Sequence, residues 1–249
     1  MAQIPLPQWS ARMAAGRRVY AIGDIHGRAD LLGALLAQIE SDIERHVGGD
    51  STATLVFLGD YVDCGLESRA CLDRLIALGE SARETHFLKG KHDAALLAFL
   101  DRPAKGGVWL SKGGRETLFS YGVPGPSPSA GARELARAAE ALSAAMPPAH
   151  LEFLRSLKLH VRFGDYVFVH AGLKPGVALD AQQERDLLTI REPFLTSRES
   201  WPFVVVHGNT PVERLYRDTR RIGVDTGAYA TGRLSAVCLD GGEVRLLQT

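Results

Sequence analysis

The stretch VYAIGDIHGRADLLGALLAQIE, Val19 to Glu40, decides the fold. Val19 to Ile22 form an unbroken apolar run that suits a short buried strand. The next five residues, GDIHG, are polar and glycine-flanked, which suits a turn. Beyond them Leu31, Leu32, Leu35, Leu36, Ile39 and Ile43 recur at helical spacing on one face. The unit then repeats. ATLVFLGD (53–60) predicts a strand and ESRACLDRLIALGE (67–80) a helix, with Leu72, Leu75 and Ile76 inward. THFLKG (85–90) predicts a third strand and DAALLAFLD (93–101) a third helix. Repeated strand–turn–helix units predict parallel strands with right-handed crossovers, hence an α/β fold. Such sheets gather ligands at the carboxyl ends of their strands. Here those ends read GDIHG, GDYVDCG and GKHD.

Further along, residues from Trp109 to Leu157 turn helical, and the Pro147-Pro148 pair ends one helix and starts another. YGVPGPSPSAG (121–131) reads as a mobile loop. LHVRFGDYVFVHAG (159–172) predicts a hairpin with Gly164-Asp165 at its tip. PFVVVHGNTP (202–211) predicts a buried strand ending in polar residues, and the chain closes with a hairpin over Gly241-Gly242. A length of 249 residues suits a single domain, 1–249, with a helical insertion near 106–157.

The chain carries 29 basic and 29 acidic residues, a net charge of zero. That balance argues against a nucleic-acid or anionic-membrane partner held by bulk electrostatics. Three cysteines, Cys64, Cys71 and Cys238, form neither a disulfide framework nor a metal-knuckle spacing, which suits a reducing compartment. The N-terminal stretch has no continuous apolar leader core, and no apolar run reaches membrane-spanning length. A cytoplasmic location is expected.

The strand-end polar residues are Asp24, His26, Asp60, Asp63, His92, Asp93, His170, His207 and Asn209. Carboxylates mixed with imidazoles suit divalent manganese, iron or zinc. Two such ions activate a water and steady both oxygens of an in-line displacement at phosphorus. A histidine beside them can protonate the leaving group. His46, His86, His150 and His160 lie outside this set and read as ordinary surface or core residues.

GDIHG, GDYVDCG, GKHD, VFVHAG and VVVHGNTP, in this order, resemble the motifs of the calcineurin-like metallophosphoesterase superfamily. The nearest resemblance is to its bacterial serine/threonine phosphoprotein phosphatases, with diadenosine tetraphosphatases as near relatives. WLSKGGRETLFSYG and IGVDTGAYATGRLSAVCLDGG are also similar to stretches of that subgroup. The resemblance implies two packed mixed β-sheets flanked by helices, with a two-metal site at the strand ends. It implies Asp24 and His26 as ligands of a first metal, Asp60 as the bridge, and His170 and Asn209 at the second. It implies His92 as general acid, Asp63 as its orienting carboxylate, and Arg191 as a phosphate-gripping residue. The implied substrate is a phosphorylated protein or a small phosphorylated metabolite, and the implied cofactor manganese, with iron or zinc as alternatives.

Three departures fall on functional positions. Cys64 stands where the pattern has arginine, Lys91 where it has asparagine, and Asn209 where it has histidine. Lys112 is a milder departure from a common asparagine. Lys91 and Asn209 both fall among the second metal's ligands, so the first position is intact and the second weakened. A charged lysine has no lone pair to donate, and a thiol cannot replace a bidentate phosphate clamp. Two readings follow. In the first, a phosphoesterase works with a weakened second metal, Lys91 serving as surrogate cation in contact with Asp60 and the substrate phosphate. In the second, a catalytically impaired relative binds a phosphorylated ligand or partner without efficient turnover. His207, two residues before Asn209, is a further candidate for a replacement ligand.

Overall fold

The computed structural model describes residues 11–46, 52–199 and 201–249. The first ten residues of the N-terminal stretch read above for a leader therefore lie outside the described residues. Strand β1 (Arg17–Ile22) leads to α1 (Ala29–His46), β2 (Thr52–Phe57) to α2 (Ser68–Gly79), and β3 (Thr85–Phe87) to α3 (Lys91–Asp101). Helix α3 starts at Lys91, ahead of the apolar pattern that opens at Asp93, with Gly90 as its N-cap. The next segment is helical. It contains α4 (Gly107–Trp109), a π-turn over Leu110–Gly114, α5 (Arg115–Ser120), α6 (Ala132–Ala145) and α7 (Pro148–Ser156). In the loop before α6, Val123 and Pro126 are buried.

Strands then return. They are β4 (His160–Phe163), β5 (Tyr166–Val169), β6 (Val204–His207), β7 (Tyr216–Arg217), β8 (Arg221–Gly223), β9 (Ser235–Asp240) and β10 (Glu243–Gln248). The short helices α8 (Glu184–Thr189) and α9 (Ala228–Thr231) interrupt them.

Two mixed five-stranded sheets result, ordered β10-β9-β1-β2-β3 and β4-β5-β6-β8-β7. In the first, β1, β2 and β3 run parallel, and β9 joins β1 antiparallel with Val19 opposite Leu239. In the second, β5, β6 and β8 run parallel. Side chains alternate across a strand. Val19, Ala21, Val56 and Val237 of the first sheet thus meet Tyr166, Phe168, Val206 and Ile222 of the second. The opposite residues of the first sheet, Tyr20, Ile22, Leu55 and Phe57, pack under helices with Leu32, Leu35, Ile39, Leu72 and Leu75. Each such side chain contributes about 1.5–3 kcal/mol when fully buried. The outer face of the second sheet is covered by Leu187, Ile190 and Phe194. The parallel strands of both sheets end on the same rim, and the polar loops collect there. Among the described residues no helix is long and apolar enough to cross a membrane.

Candidate active site

Five non-glycine residues among those described have positive φ: His26 (48°), Asp60 (52°), Asp63 (73°), Cys64 (67°) and Asn209 (56°). All five sit in the strand-end loops. Left-handed backbone costs about 1–3 kcal/mol for such residues and persists only where the surroundings enforce it. The enforcing contacts are visible. Asp93 accepts from the backbone N–H groups of Asp60, Tyr61 and Gly90 at 2.9, 3.0 and 2.8 Å, locking the loop after β2 to the start of α3. Asp93, grouped above with the site residues, thus braces the loop.

Asp60 is fully buried, and its Oδ1 accepts the backbone N–H of His92 at 2.7 Å. Its Oδ2 lies 3.6 Å from His26 Nε2 and 3.4 Å from His170 Nε2. Both imidazoles are held by their other nitrogen. His26 Nδ1 meets the Val62 carbonyl at 3.1 Å, and His170 Nδ1 the Leu58 carbonyl at 2.8 Å. A carbonyl only accepts, so each Nδ1 carries the proton and each Nε2 presents a lone pair towards Asp60. This is the outer-shell arrangement that orients histidine ligands of a metal. Burial holds His26 down, to about 4, which keeps that lone pair free.

Asp24 Oδ1, Asp60 Oδ2 and His170 Nε2 are buried without hydrogen-bond partners among the described residues, and ligand atoms of these three residues lie within 4.8 Å of one another, so His170, expected at the second metal, groups instead with Asp24 and Asp60. Buried polar atoms are normally satisfied. Carboxylate oxygens and imidazole lone pairs converging on one point fit a divalent ion. The charges agree. Burial, with Asp225 and Asp60 nearby, holds Asp24 well above the usual carboxylate range. A cation is the group this cluster is short of.

The second ion position is different. Lys91 Nζ donates to Asn209 Oδ1 at 3.0 Å. No ion pair between Lys91 and Asp60 is found among the described residues, so the expected Lys91–Asp60 contact is corrected: the ammonium's partner is Asn209. Asn209 is fixed on three sides, because its N–H donates to Asp24 Oδ2 at 3.0 Å and its carbonyl accepts from Arg191 Nη2 at 3.0 Å. An ammonium and a dication about 4 Å apart repel by about 8 kcal/mol at an effective dielectric of about 20. Lys91 and Asn209 therefore do not fit an ion at this position; the other group among the described residues with ligand atoms within 4.8 Å of one another is His26, Cys64 and His92, in which His92 is already held by Asp63. His207 does not step in, since its ring nitrogens engage the Gly208 carbonyl at 3.0 Å and Arg221 Nη1 at 3.1 Å.

Beside this cluster, His92 Nδ1 lies 2.7 Å from Asp63 Oδ2. Trp109 Nε1 donates to that oxygen at 2.9 Å, and Thr117 Oγ1 donates to Asp63 Oδ1 at 2.6 Å. Burial lowers the basicity of His92, but the bond to Asp63 and the charge of Asp60 leave it above its ordinary value. The rings of His26 and His92 meet edge to face, 4.8 Å apart. Cys64 accompanies them, its thiol pushed up to about 12 by burial, Asp63 and Asp60.

Asp24, His26, Asp60, Lys91, His92, Arg191 and Asn209 all line one cavity of about 450 Å³, with Lys112, Glu116, Asp225 and Tyr229. Asp63 and His170 lie behind it, fully buried. A smaller apolar cavity of about 280 Å³ adjoins, sharing Lys91, His92 and Lys112 and floored by Phe99 and Trp109. Sequence reasoning assigned no role to Trp109, Thr117, Asp225 or Tyr229. The only available signal was their place in the two family-like stretches, WLSKGGRETLFSYG and IGVDTGAYATG.

The sequence profile of the calcineurin-like phosphoesterase family matches residues 17–235. The symmetrical bis(5'-nucleosyl)-tetraphosphatase of Acidovorax ebreus (strain TPSY) is 31% identical over 198 residues, 78% of this chain and 57% of that protein. The enzyme of the same name from Klebsiella pneumoniae (strain 342) is 44% identical over 79 residues, 32% of this chain and 24% of that protein. The chain thus spans less than two thirds of the length of these curated relatives. Among solved structures, a chain proposed to be a diadenosine tetraphosphatase superposes with a TM-score of 0.65 at 24% identity, covering 96% of this chain and 98% of that one. A cold-active protein tyrosine phosphatase superposes at 0.57 with 15% identity, covering 96% of this chain and 81% of that one. At these identities the likeness is one of fold.

Proposed function

Because the chain belongs to the calcineurin-like phosphoesterase family, we propose that it hydrolyses phosphoric esters or anhydrides of small phosphorylated metabolites, dinucleoside polyphosphates foremost. One observation carries the hydrolase reading: the His92–Asp63 pair borders the same cavity as the orphaned acceptors of Asp24 and Asp60.

Asp24, His26, Asp60 and His170 would hold a divalent ion, for which manganese is proposed, with iron or zinc as alternatives. Such an ion, when bound, neutralises phosphoryl charge and lowers the pKa of a water. Arg191 and Lys112 line the cavity as cations able to take phosphate oxygens, the role Cys64 cannot fill. His92, held by Asp63 through Nδ1, has Nε2 left to give its proton to the departing oxygen. Asp63 keeps the imidazole in that tautomer and steadies the imidazolium before transfer.

The residues from about 106 to 157 are read as an insertion within a single domain, shaping the mouth through Ser111, Lys112 and Glu116. The adjoining apolar cavity offers room for the organic part of a leaving group. The names of the relatives favour a small-molecule substrate over a phosphoprotein. Ion-loaded protein should be given a dinucleoside tetraphosphate, a phosphopeptide and an aryl phosphate, with products followed by chromatography. Symmetrical cleavage to two nucleoside diphosphates is expected as the fastest reaction. Faster dephosphorylation of the peptide would overturn the substrate assignment, and no turnover of any of the three would overturn the hydrolase reading.

A further inference from the structure

Lys91 and Asn209 are far apart in sequence, on the first turn of α3 and in the loop after β6, and their side chains meet at 3.0 Å. They are also the two departures that fall within one ion's ligand set. An ammonium only donates, so the amide atom facing it must be Oδ1. The oxygen that could have served an ion is therefore engaged. Asn209 Nδ2 is buried without a partner among the described residues, and as a donor it also repels a cation. A lysine at the first position of a helix works against the helix dipole. Its charge is kept there, on the wall shared with Asp24, Asp60 and Arg191.

We propose that Lys91, fixed on Asn209, is the built-in second cation of this centre. The chain holds one divalent ion, and the Lys91 ammonium takes the phosphoryl oxygen that a second ion would otherwise face. Of the three N–H bonds of the ammonium, one is spent on Asn209 and the others remain for an anion. The phosphate arm of this inference rests on the phosphoesterase reading, whereas the one-ion arm stands on the ligand set alone.

Ion content per chain should be measured by elemental mass spectrometry after loading with manganese and gel filtration. The native chain is expected to retain one ion; two, or none, would overturn the proposal. The doubly changed Lys91→Asn, Asn209→His chain, checked for folding by circular dichroism, is expected to retain two. A folded double variant with one ion also counts against it. The Lys91→Met chain tests the phosphate arm without turnover. It should keep one ion yet bind inorganic phosphate about 10- to 100-fold more weakly by calorimetry, the loss expected for one charge-assisted hydrogen bond. Unchanged phosphate affinity would overturn that arm. Correct ion counts and phosphate affinities in a chain that hydrolyses nothing would support the proposal while sinking the hydrolase reading.

Discussion

His92 Nδ1 lies 2.7 Å from Asp63 Oδ2, and that single contact fixes which nitrogen of the imidazole can act. With Nδ1 committed to the carboxylate, Nε2 is the proton carrier for the cavity that His92 lines. Removing it should matter in proportion to how poorly the leaving group supports negative charge. His92→Asn is expected to lower kcat by about 10²–10⁴ for alkyl phosphates. Aryl phosphates and phosphoanhydrides, whose leaving groups need little protonation, should lose much less. Rates across a leaving-group series check this. Equal losses throughout would mean that His92 positions substrate and does not act as the acid.

Trp109 reaches the same oxygen of Asp63 through Nε1 at 2.9 Å while its ring stacks on Phe99, with centroids 4.5 Å apart. Trp109→Phe keeps a stacking partner and deletes the donor. A buried hydrogen bond to a charged group is worth about 1.5–3 kcal/mol, so unfolding free energy should fall by about that amount. kcat should fall with it, because Asp63 loses part of its anchorage, and KM should rise only for substrates whose organic part reaches the apolar cavity that Trp109 floors. Denaturant titration and steady-state kinetics read both. A raised KM with unchanged kcat would show that Trp109 acts on substrate alone and not through Asp63.

Much of this was legible in sequence because it is local. The three apolar runs with helical sequels predicted β1–β2–β3 and their helices, and GDIHG, GDYVDCG and GKHD marked the rim where the loops converge. Pairing across the chain was not legible. Val19 opposite Leu239 is a contact of packing, and nothing in either residue names its partner. The two-residue strand β7 has no period to detect. Trp109 and Thr117 were missed because a tryptophan and a threonine in a helical stretch read as core and surface until the fold brings them onto Asp63. Lys91 and Asn209 read as two weakened ligands of one ion, with no sign that they touch. Only the fold shows them as one contact.

Gly208 lies against the first-ion residues. A Cβ at this position would fall 2.0 Å from Asp24 Oδ1, one of the orphaned buried acceptors. Gly208→Ala must therefore push the Asp24 carboxylate aside. Overpacking of this kind costs about 1–3 kcal/mol of stability. The larger effect should be on the ion, since displacement of one ligand of a compact set weakens the whole. Retained manganese after gel filtration should drop well below one per chain, with circular dichroism unchanged. Full retention would show that Asp24 is not needed to hold it.

Asp42 sets an acid-stability limit away from the site. It is buried on α1, accepting from Tyr20 Oη at 2.6 Å and from Arg245 Nη1 and Nη2 at 3.0 Å each. Arg18 Nη1 stands 3.7 Å away and His46 Nδ1 3.2 Å away. Burial alone would raise this carboxyl, but Arg245 and Tyr20 outweigh it and hold it down, to about 2. An unfolded aspartate titrates near 3.9. Between those values the unfolded chain binds more protons, so stability rises with pH through the window. The contribution is complete above about pH 5 and is lost as pH falls towards 2. Roughly two pKa units at 1.36 kcal/mol each give about 2.6 kcal/mol, which solvent screening of this near-surface network brings to on the order of 1–2 kcal/mol. Asp42→Asn removes the titrating group and leaves a similar shape. In urea titrations of ion-free protein, the stability gap between native and variant should be widest at pH 5–6 and narrow steadily below pH 4. A gap independent of pH would show that Asp42 acts through packing, with its charge contributing nothing.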